Sequence, residues 1–172
     1  KMYDTYQAAL ITAAQKGKPI IPQETIDQIF CNINGIIKVN ESFLKQFEPM
    51  MESWNDNCCI APIFITFSGV MKMYNQYYFG YDRASQILAE LRKNKAWTTF
   101  CRDRVVLSDA GTVQPLESLL IMPVQRIPRY CLLLKELLKA TPQDHCDYKA
   151  TLEAKELYES LGNYVNARQK EG

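Results

Sequence analysis

Residues 119–139 read LLIMPVQRIPRYCLLLKELLK. Apolar residues recur in this stretch every three or four positions, which indicates an amphipathic α-helix. Pro123 and Pro128 lie inside the pattern, and each removes a backbone hydrogen bond at a cost of about 3 kcal/mol. Because the apolar pattern continues past both prolines, we expect one kinked helix whose bend serves a function. We expect its leucines to lie in the core.

The same periodicity predicts five further helices around this central one, which we expect to run from Pro115 to about Ala140. Pro49 is expected to end the second helix, and Asp82 to cap the start of the fourth. A polar loop from Ser108 to Gln114 precedes the central helix. The β-branched residues fall at helical spacing, so the sequence predicts an all-α fold, an elongated bundle of about six helices. The other five are expected near 1–14, 22–48, 60–78, 81–100 and 147–168.

Composition limits the possible functions. The 172 residues suit a single domain, and 47% hydrophobic with 23% charged residues is typical of a globular protein. A formal net charge of +1 argues against a nucleic-acid partner. The apolar run Ile60–Met71 is shorter than the roughly 20 residues that a membrane span requires. We therefore expect a soluble, cytoplasmic protein.

The cysteines and the single histidine give no pattern for metal binding or nucleophilic catalysis. The six cysteines include no C-x-x-C pair, so we expect no metal and no cofactor, and read them as scattered free thiols. Ser–His or Cys–His catalysis would depend on His145, which we expect to be an exposed loop residue. No phosphate-binding loop or nucleophile elbow is present. The function is therefore expected to lie on a binding surface.

Four tyrosines in a short stretch admit two interpretations. A platform for stacking nucleic-acid bases would need interleaved basic residues, and few are present. We therefore favour packing in the core at a helix end. The tyrosines are Tyr74, Tyr77, Tyr78 and Tyr81.

Three segments carry a resemblance to a known family. LESLLIMPVQRIPRYCLLLKELLKATPQDHCDY, residues 116–148, resembles the third sequence block of Dbl-homology (DH) domains. Upstream, IFCNINGIIKVNESFLKQFE, residues 29–48, resembles the second block. The segment 60–91 resembles the region between the two. DH domains belong to guanine-nucleotide exchange factors for Rho-family GTPases, so the resemblance implies a helical DH fold in which the bent fifth helix and the sixth line the GTPase-binding face.

The resemblance also implies a function and a set of contact residues. Such factors grip both switch regions of a Rho-type GTPase and stabilise its nucleotide-free form without covalent chemistry. Gln125 and Arg129 match family positions that face the switches, and Asn166 matches a position that meets switch II. Ile121 matches a position that influences GTPase choice, and isoleucine there looks Rac-like. Arg126 and Tyr130 are expected to serve mainly packing inside the domain.

The chain also departs from the family pattern. A glutamate that contacts switch I in the first block is absent, and by spacing it would precede Lys1, so we expect a single DH domain over residues 1–172 that is truncated in its first helix. Met122 replaces a usual lysine. Cys131 replaces a common proline and should make the helix more regular. The pleckstrin-homology (PH) domain that commonly follows is not within these residues.

Three functional readings stay open from the sequence. The first is an active exchange factor, monomeric as a fragment, whose membrane contact depends on a domain outside this chain. The second is a DH-fold scaffold that binds GTPase or other partners without exchange, and a glutamate upstream of Lys1 would argue against it. The third, an unrelated bundle with an undetected enzymatic site, is disfavoured because catalytic constellations are missing.

Overall fold

The computed structural model describes residues 2–169, with side chains described from Met2 to Asn163. This part of the chain forms a π-helical turn, Tyr3–Gln7, eight α-helices and two very short strands, so the all-α prediction is confirmed. The helices are α1 Ala8–Gln15, α2 Gln23–Phe30, α3 Ile33–Glu52, α4 Ala61–Met71, α5 Tyr74–Leu91, α6 Lys95–Arg102, α7 Leu116–Ala140 and α8 Tyr148–Gln169. The strands are β1 Val106–Leu107 and β2 Val113–Gln114, which pair antiparallel.

Two compact units divide the chain. The first contains the residues up to Asn34 together with Gln76–Val124. The second contains Gly35–Asn75 together with the chain from Gln125 onward. Each has a buried core of its own, so each can be described by its own packing.

The core of the first unit holds the start of α7. Leu120 is fully buried, and its carbonyl oxygen accepts a hydrogen bond of 2.9 Å from the Tyr77 hydroxyl. Burial raises the pKa of that hydroxyl above its ordinary value, so Tyr77 stays neutral and donates. The Tyr6 hydroxyl donates to the Arg104 carbonyl oxygen at 3.1 Å. Of the four tyrosines interpreted from the sequence as packing residues, Tyr74 and Tyr77 are buried, while Tyr78 and Tyr81 are half-buried.

An aromatic cluster forms the core of the second unit. The Phe43 ring is in edge-to-face contact with four other rings, a geometry that adds to the stabilisation from burial alone. Its centroid lies 4.8 Å from Phe47, 5.2 Å from Phe64, 5.1 Å from Phe67 and 5.6 Å from Tyr130. This cluster supports the C-terminal part of α7.

The loop before α8 is fixed to the start of α4 by Asp147. The Asp147 carboxylate is buried, and its Oδ2 accepts hydrogen bonds from the amides of Ile60, at 2.8 Å, and Ala61, at 3.0 Å. These amides belong to the N-cap residue and the first residue of α4, where backbone N–H groups have no partner within the helix. A negative charge there is also favoured by the helix dipole. Asp147 therefore caps a helix from a distant segment of the chain.

Several predicted helix limits are wrong. Helix α3 continues through Pro49 to Glu52, although a proline was expected to end it. Helix α5 begins at Tyr74 and passes through Gly80 and Asp82, so Asp82 is no cap. The cap in this region is Asn94, whose Oδ1 accepts from the first-turn amides of α6. Tertiary packing overrides these local signals.

A break at Cys31 divides the predicted second helix into α2 and α3. Cys31 has φ 46° and ψ −131°, a backbone conformation in which a side chain is strained. Within the described part of the chain, Cys31 is the single non-glycine residue with a positive φ. Cysteine is not a residue that marks turns, and the apolar residues keep their helical spacing on both sides of Cys31. The sequence therefore predicted one continuous helix here. The predicted loop from Ser108 to Gln114 likewise contains the turn of the β1–β2 hairpin, with Gly111 at φ 77°.

The central helix has the predicted end at Ala140 and starts at Leu116, immediately after the expected Pro115. It is assigned as one α-helix through both Pro123 and Pro128. The bend expected at these prolines stays a prediction. None of the helices within residues 2–169 combines the length and apolar character that crossing a membrane requires.

Candidate partner-binding surface

One side of α7 in the second unit is fixed in the core. Ile127 and Leu134 are 5% and 1% exposed, one on each side of the half-buried Tyr130. These residues are three or four positions apart, so they share one helical face. The opposite face of the same turns points to solvent. Its side chains are therefore presented on a rigid support.

Tyr130 is the main anchor of this support. Its ring packs edge-to-face against Phe64 at 5.7 Å and Tyr158 at 5.8 Å. Its hydroxyl donates to Asn40 Oδ1 at 3.5 Å, and Asn40 Nδ2 in turn donates to the Tyr74 hydroxyl at 2.6 Å. Burial raises the pKa of Tyr130, which keeps the phenol neutral. The packing role expected for Tyr130 agrees with these contacts.

Arg126 is an exposed residue of α7 that contacts Tyr130. Its side chain is exposed, and its guanidinium carbon lies 5.8 Å from the centroid of the Tyr130 ring. A cation over an aromatic ring at this distance gives a weak attraction, about 0.5–1 kcal/mol at an exposed site. Arg126 thus contacts the residue that holds α7 in place.

Gln125 and Arg129 lie together on the exposed face of α7. Both side chains are exposed, and Arg129 Nη2 donates to Gln125 Oε1 at 3.2 Å. This bond leaves the amide group of Gln125 and most of the guanidinium N–H groups available to solvent. The pair can donate several hydrogen bonds in a fixed arrangement, which suits backbone carbonyls or carboxylates of a partner.

Leu132 and Leu133 extend this face and correct the sequence prediction. They are 63% and 61% exposed, although all leucines of the segment were expected in the core. At 3.6 residues per turn, Leu132 lies two turns after Gln125 and on the same side of the helix. The sequence could have predicted the exposure of Leu132, because a residue seven positions after Gln125 lies on the same face of a helix. We call Gln125, Arg129, Leu132 and Leu133 the α7 surface.

The other two predicted contact residues are not members of the α7 surface. Ile121 belongs to the first unit and is half-buried, while its neighbour Met122 is 41% exposed. Asn166 lies within α8, but its side chain falls outside the described residues. The roles expected for Ile121, Gln125, Arg129 and Asn166 stay predictions.

His145 is more constrained than an exposed loop residue. It is half-buried, its Nδ1 accepts the Asp147 amide at 3.0 Å, and its Nε2 lies at hydrogen-bonding distance from the Asp56 carbonyl oxygen, at 2.5 Å. Because Nδ1 accepts the amide, Nε2 is the nitrogen that donates to the Asp56 carbonyl oxygen. Both nitrogens therefore serve the loop structure. Within the described side chains, no group of three or more His, Cys, Asp or Glu residues is placed to hold a metal ion.

Comparison with known proteins places this arrangement in a family. The sequence model of the RhoGEF domain matches residues 2–166. The chain belongs to the RhoGEF domain family. The α7 surface is thus part of a RhoGEF domain, and the resemblance inferred from residues 116–148 is confirmed.

Curated relatives are similar over nearly the whole chain. The human phosphatidylinositol 3,4,5-trisphosphate-dependent Rac exchanger 2 protein is 33% identical over 92% of this chain, but the match spans 10% of that protein. Rac guanine nucleotide exchange factor JJ of Dictyostelium discoideum is 30% identical over 88% of this chain and 12% of its own length. The chain thus spans about a tenth of the length of these relatives.

Solved structures share the fold. The DH/PH domains of PDZ-RhoGEF, solved in complex with GTPγS-activated RhoA, match 96% of this chain with a TM-score of 0.81 and 16% identity, over 47% of that chain. An activated truncation of Vav1 matches 99% with a TM-score of 0.80 and 22% identity, over 42% of that chain. The all-α DH fold of the RhoGEF domain is therefore shared with these proteins.

Proposed function

We propose that this chain is the exchange-promoting domain of a guanine-nucleotide exchange factor for a Rho-family GTPase. It would bind the switch regions of the GTPase, stabilise the nucleotide-free state, and so promote GDP release and GTP loading. It would catalyse exchange without making or breaking a covalent bond. The observation that carries the proposal is the α7 surface, which is exposed and rigidly supported within a RhoGEF domain.

Thermodynamic linkage supplies the mechanism. A nucleotide bound at picomolar affinity is held by about 16 kcal/mol. A protein that binds the nucleotide-free GTPase more tightly than the nucleotide-bound form weakens nucleotide binding, and by linkage the nucleotide weakens binding of that protein by the same factor. The exchange factor therefore needs a rigid surface complementary to the open GTPase. Rebinding of GTP then releases it.

Each residue of the α7 surface suits a part of such an interface. Gln125 can donate to and accept from exposed backbone groups of a switch loop. Arg129 offers a planar fork for carbonyls or a carboxylate. Leu132 and Leu133 supply apolar area beside these polar groups, an arrangement usual at protein interfaces.

The preferred GTPase is the finer part of the proposal. We propose a Rac-like preference, based on Ile121 and on relatives whose names specify Rac. One apolar residue changes discrimination by about 1–3 kcal/mol, which is about 5- to 150-fold. Asn166 is proposed to meet switch II. Equal exchange rates on Rac-type and Rho-type substrates would contradict the preference, while leaving exchange itself intact.

The direct test is release of fluorescent GDP from a panel of Rho-family GTPases. Wild-type chain is compared with the Gln125→Ala/Arg129→Glu double variant. We expect the double variant to slow release more than about 30-fold, because removing a hydrogen-bonded charge from an interface costs 2 kcal/mol or more. Circular dichroism should show unchanged helix content, since both side chains are exposed.

Lys135→Glu provides the matched control. Lys135 is also an exposed cation on α7, but it points about a third of a turn away from Arg129. The same charge reversal there should leave release nearly unchanged. If wild-type chain accelerates no GTPase yet binds one, the domain is a non-exchanging scaffold. If the double variant exchanges normally, the assignment of Gln125 and Arg129 is wrong.

The cellular setting is proposed on the same basis. We expect the domain to act as a monomer in the cytoplasm, in Rho-type signalling to the cytoskeleton, and to reach membranes or the actin-rich cortex through another domain of the full protein. The name of one relative, the human FYVE, RhoGEF and PH domain-containing protein 6, gives two further domains beside the RhoGEF domain. Vesicle binding by the isolated chain would contradict this division of roles.

A further inference from the structure

Two cysteines distant in sequence meet in the second unit. Cys59 lies just before α4 and Cys146 just before α8, 87 positions apart. Their sulfur atoms are 3.0 Å apart, and Cys59 donates a hydrogen bond to Cys146. Cys146 is exposed and Cys59 is half-buried. The thiols that the sequence suggested to be scattered therefore include one close pair.

The loops that carry the pair are fixed on both sides of it. Asp147 binds the amides of Ile60 and Ala61, which follow Cys59. The His145 ring bridges the Asp56 carbonyl oxygen and the Asp147 amide. These bonds hold the backbones of both cysteines in place. The two sulfurs are thus neighbours because the loops are, and a disulfide of ordinary length, about 2 Å, requires a closer approach of only about 1 Å.

We propose that Cys59 and Cys146 are a modification site, a dithiol that a peroxide converts to a disulfide and a dithiol reductant restores. This inference is independent of the exchange function proposed above. The exposed Cys146 is the sulfur that the oxidant reaches first. The hydrogen bond to Cys146, followed by burial, raises the pKa of Cys59 to about 11, so Cys59 remains a protonated second thiol.

The chemistry balances with hydrogen peroxide as oxidant. The Cys146 sulfur attacks one peroxide oxygen, the O–O bond breaks, and the products are a sulfenic acid on Cys146 and one water. The Cys59 sulfur then attacks the sulfenic sulfur, the S–O bond breaks, and the disulfide forms with loss of a second water. In total, two thiol hydrogens and two electrons pass to the peroxide. A dithiol reductant reverses the change and becomes a disulfide itself.

Neighbouring groups favour a disulfide over a metal site. His145 Nδ1 lies 3.9 Å from the Cys146 sulfur, but it already accepts the Asp147 amide. Cys58 is occupied within its own loop, where its sulfur accepts the Asn55 amide at 3.3 Å. A structural zinc ion needs four ligands, and the described side chains offer no group of three here. Two thiols with no further ligand suit oxidation.

The test treats the whole chain with hydrogen peroxide in the presence of a metal chelator. We expect a loss of mass equal to two hydrogen atoms and a tryptic cross-link between peptides 46–72 and 140–149. The midpoint temperature of thermal unfolding should rise by about 5 °C or more. The disulfide closes a long loop in the unfolded chain and so lowers the entropy of that state. Dithiothreitol should reverse all three changes.

Cysteine variants assign the link. Cys58 and Cys59 lie in the same tryptic peptide, so Cys58→Ser is the matched control and should retain the link and the thermal shift. Cys59→Ser and Cys146→Ser should each abolish both. If either serine variant fails to fold, the cross-link in Cys58→Ser still decides. Oxygen addition without a link, a link that Cys58→Ser removes, or a link without a thermal shift would each overturn the proposal.

Discussion

Asp147 joins two helices of the second unit through one carboxylate oxygen. Because Oδ2 accepts two amides at the N-terminal end of α4, Asp147→Ala would leave both donors without a partner. We expect the free energy of unfolding to fall by about 2–4 kcal/mol, and by less for Asp147→Asn, which keeps one oxygen but loses the charge. Urea unfolding measures the change. Asp144→Ala, an exposed site in the same loop, should change stability by under about 0.5 kcal/mol.

Leu132 and Leu134 differ by two positions in sequence and have opposite environments. Leu134→Ser would place a hydroxyl in the core, where the leucine is 1% exposed, and should lower the free energy of unfolding by about 3 kcal/mol or more. Leu132→Ser, at a site 63% exposed, should leave stability nearly unchanged. Because Leu132 belongs to the α7 surface, we expect the Leu132→Ser variant to bind the GTPase more weakly instead. Calorimetric binding alongside thermal unfolding separates the two effects, and normal binding by Leu132→Ser would remove that residue from the surface.

These leucines also mark the limit of reading single residues from sequence. Gln125 and Arg129 were found through a motif, and the structure places them together on the exposed face. Three consecutive leucines cannot all face one core, because successive helical residues turn by about 100°. Hydrophobicity alone does not say which of them turns outward. That depends on where Tyr130 and the aromatic cluster hold the helix.

At the scale of elements, the break between α2 and α3 is the least expected feature. Cys31 has a positive φ, so Cys31→Gly should relieve backbone strain at that position. We expect the free energy of unfolding to rise by about 0.5–1 kcal/mol, measured by urea unfolding. Cys131→Gly is the control, since Cys131 lies inside α7 and glycine there should cost about 1 kcal/mol. A loss of stability in Cys31→Gly would mean that the side chain contributes more than its backbone costs.

The ends of a helix were predicted correctly where the turn-forming residues of the sequence coincide with the packing of the fold. The ends of α7 were predicted to within a residue, because a proline precedes its start and a Thr-Pro turn follows Ala140. The start of α5 was missed, because Gly80 looked like a helix break. In the structure a Cβ added at Gly80 would lie 3.3 Å from the Cys31 sulfur, so the glycine permits close packing within a helix. Such contacts between distant segments leave no mark in local sequence.

At the scale of the whole molecule, the fold and the family were accessible from sequence and the division into two compact units was not. The family signal is concentrated in residues 116–148, and periodicity reports only which face of a helix is apolar. Which helices share a core depends on contacts between segments far apart, such as those of Phe43 with Phe64 and Tyr130. The net charge of +1 is a further property of the entire chain, and it predicts little electrostatic steering toward a partner.

The proposed exchange function makes a prediction that only the whole domain can satisfy. If the chain binds the nucleotide-free GTPase, adding GDP must weaken that complex by the same factor by which the chain weakens GDP binding. We expect both factors to be large and equal within error. Fluorescence titration of GDP against the GTPase, with and without saturating chain, gives one factor. Titration of the chain against the GTPase, with and without GDP, gives the other.

The Gln125→Ala/Arg129→Glu variant should reduce both coupling factors together. Tight binding to the GTPase that is insensitive to GDP would identify a scaffold, because a ligand with equal affinity for both states shifts neither.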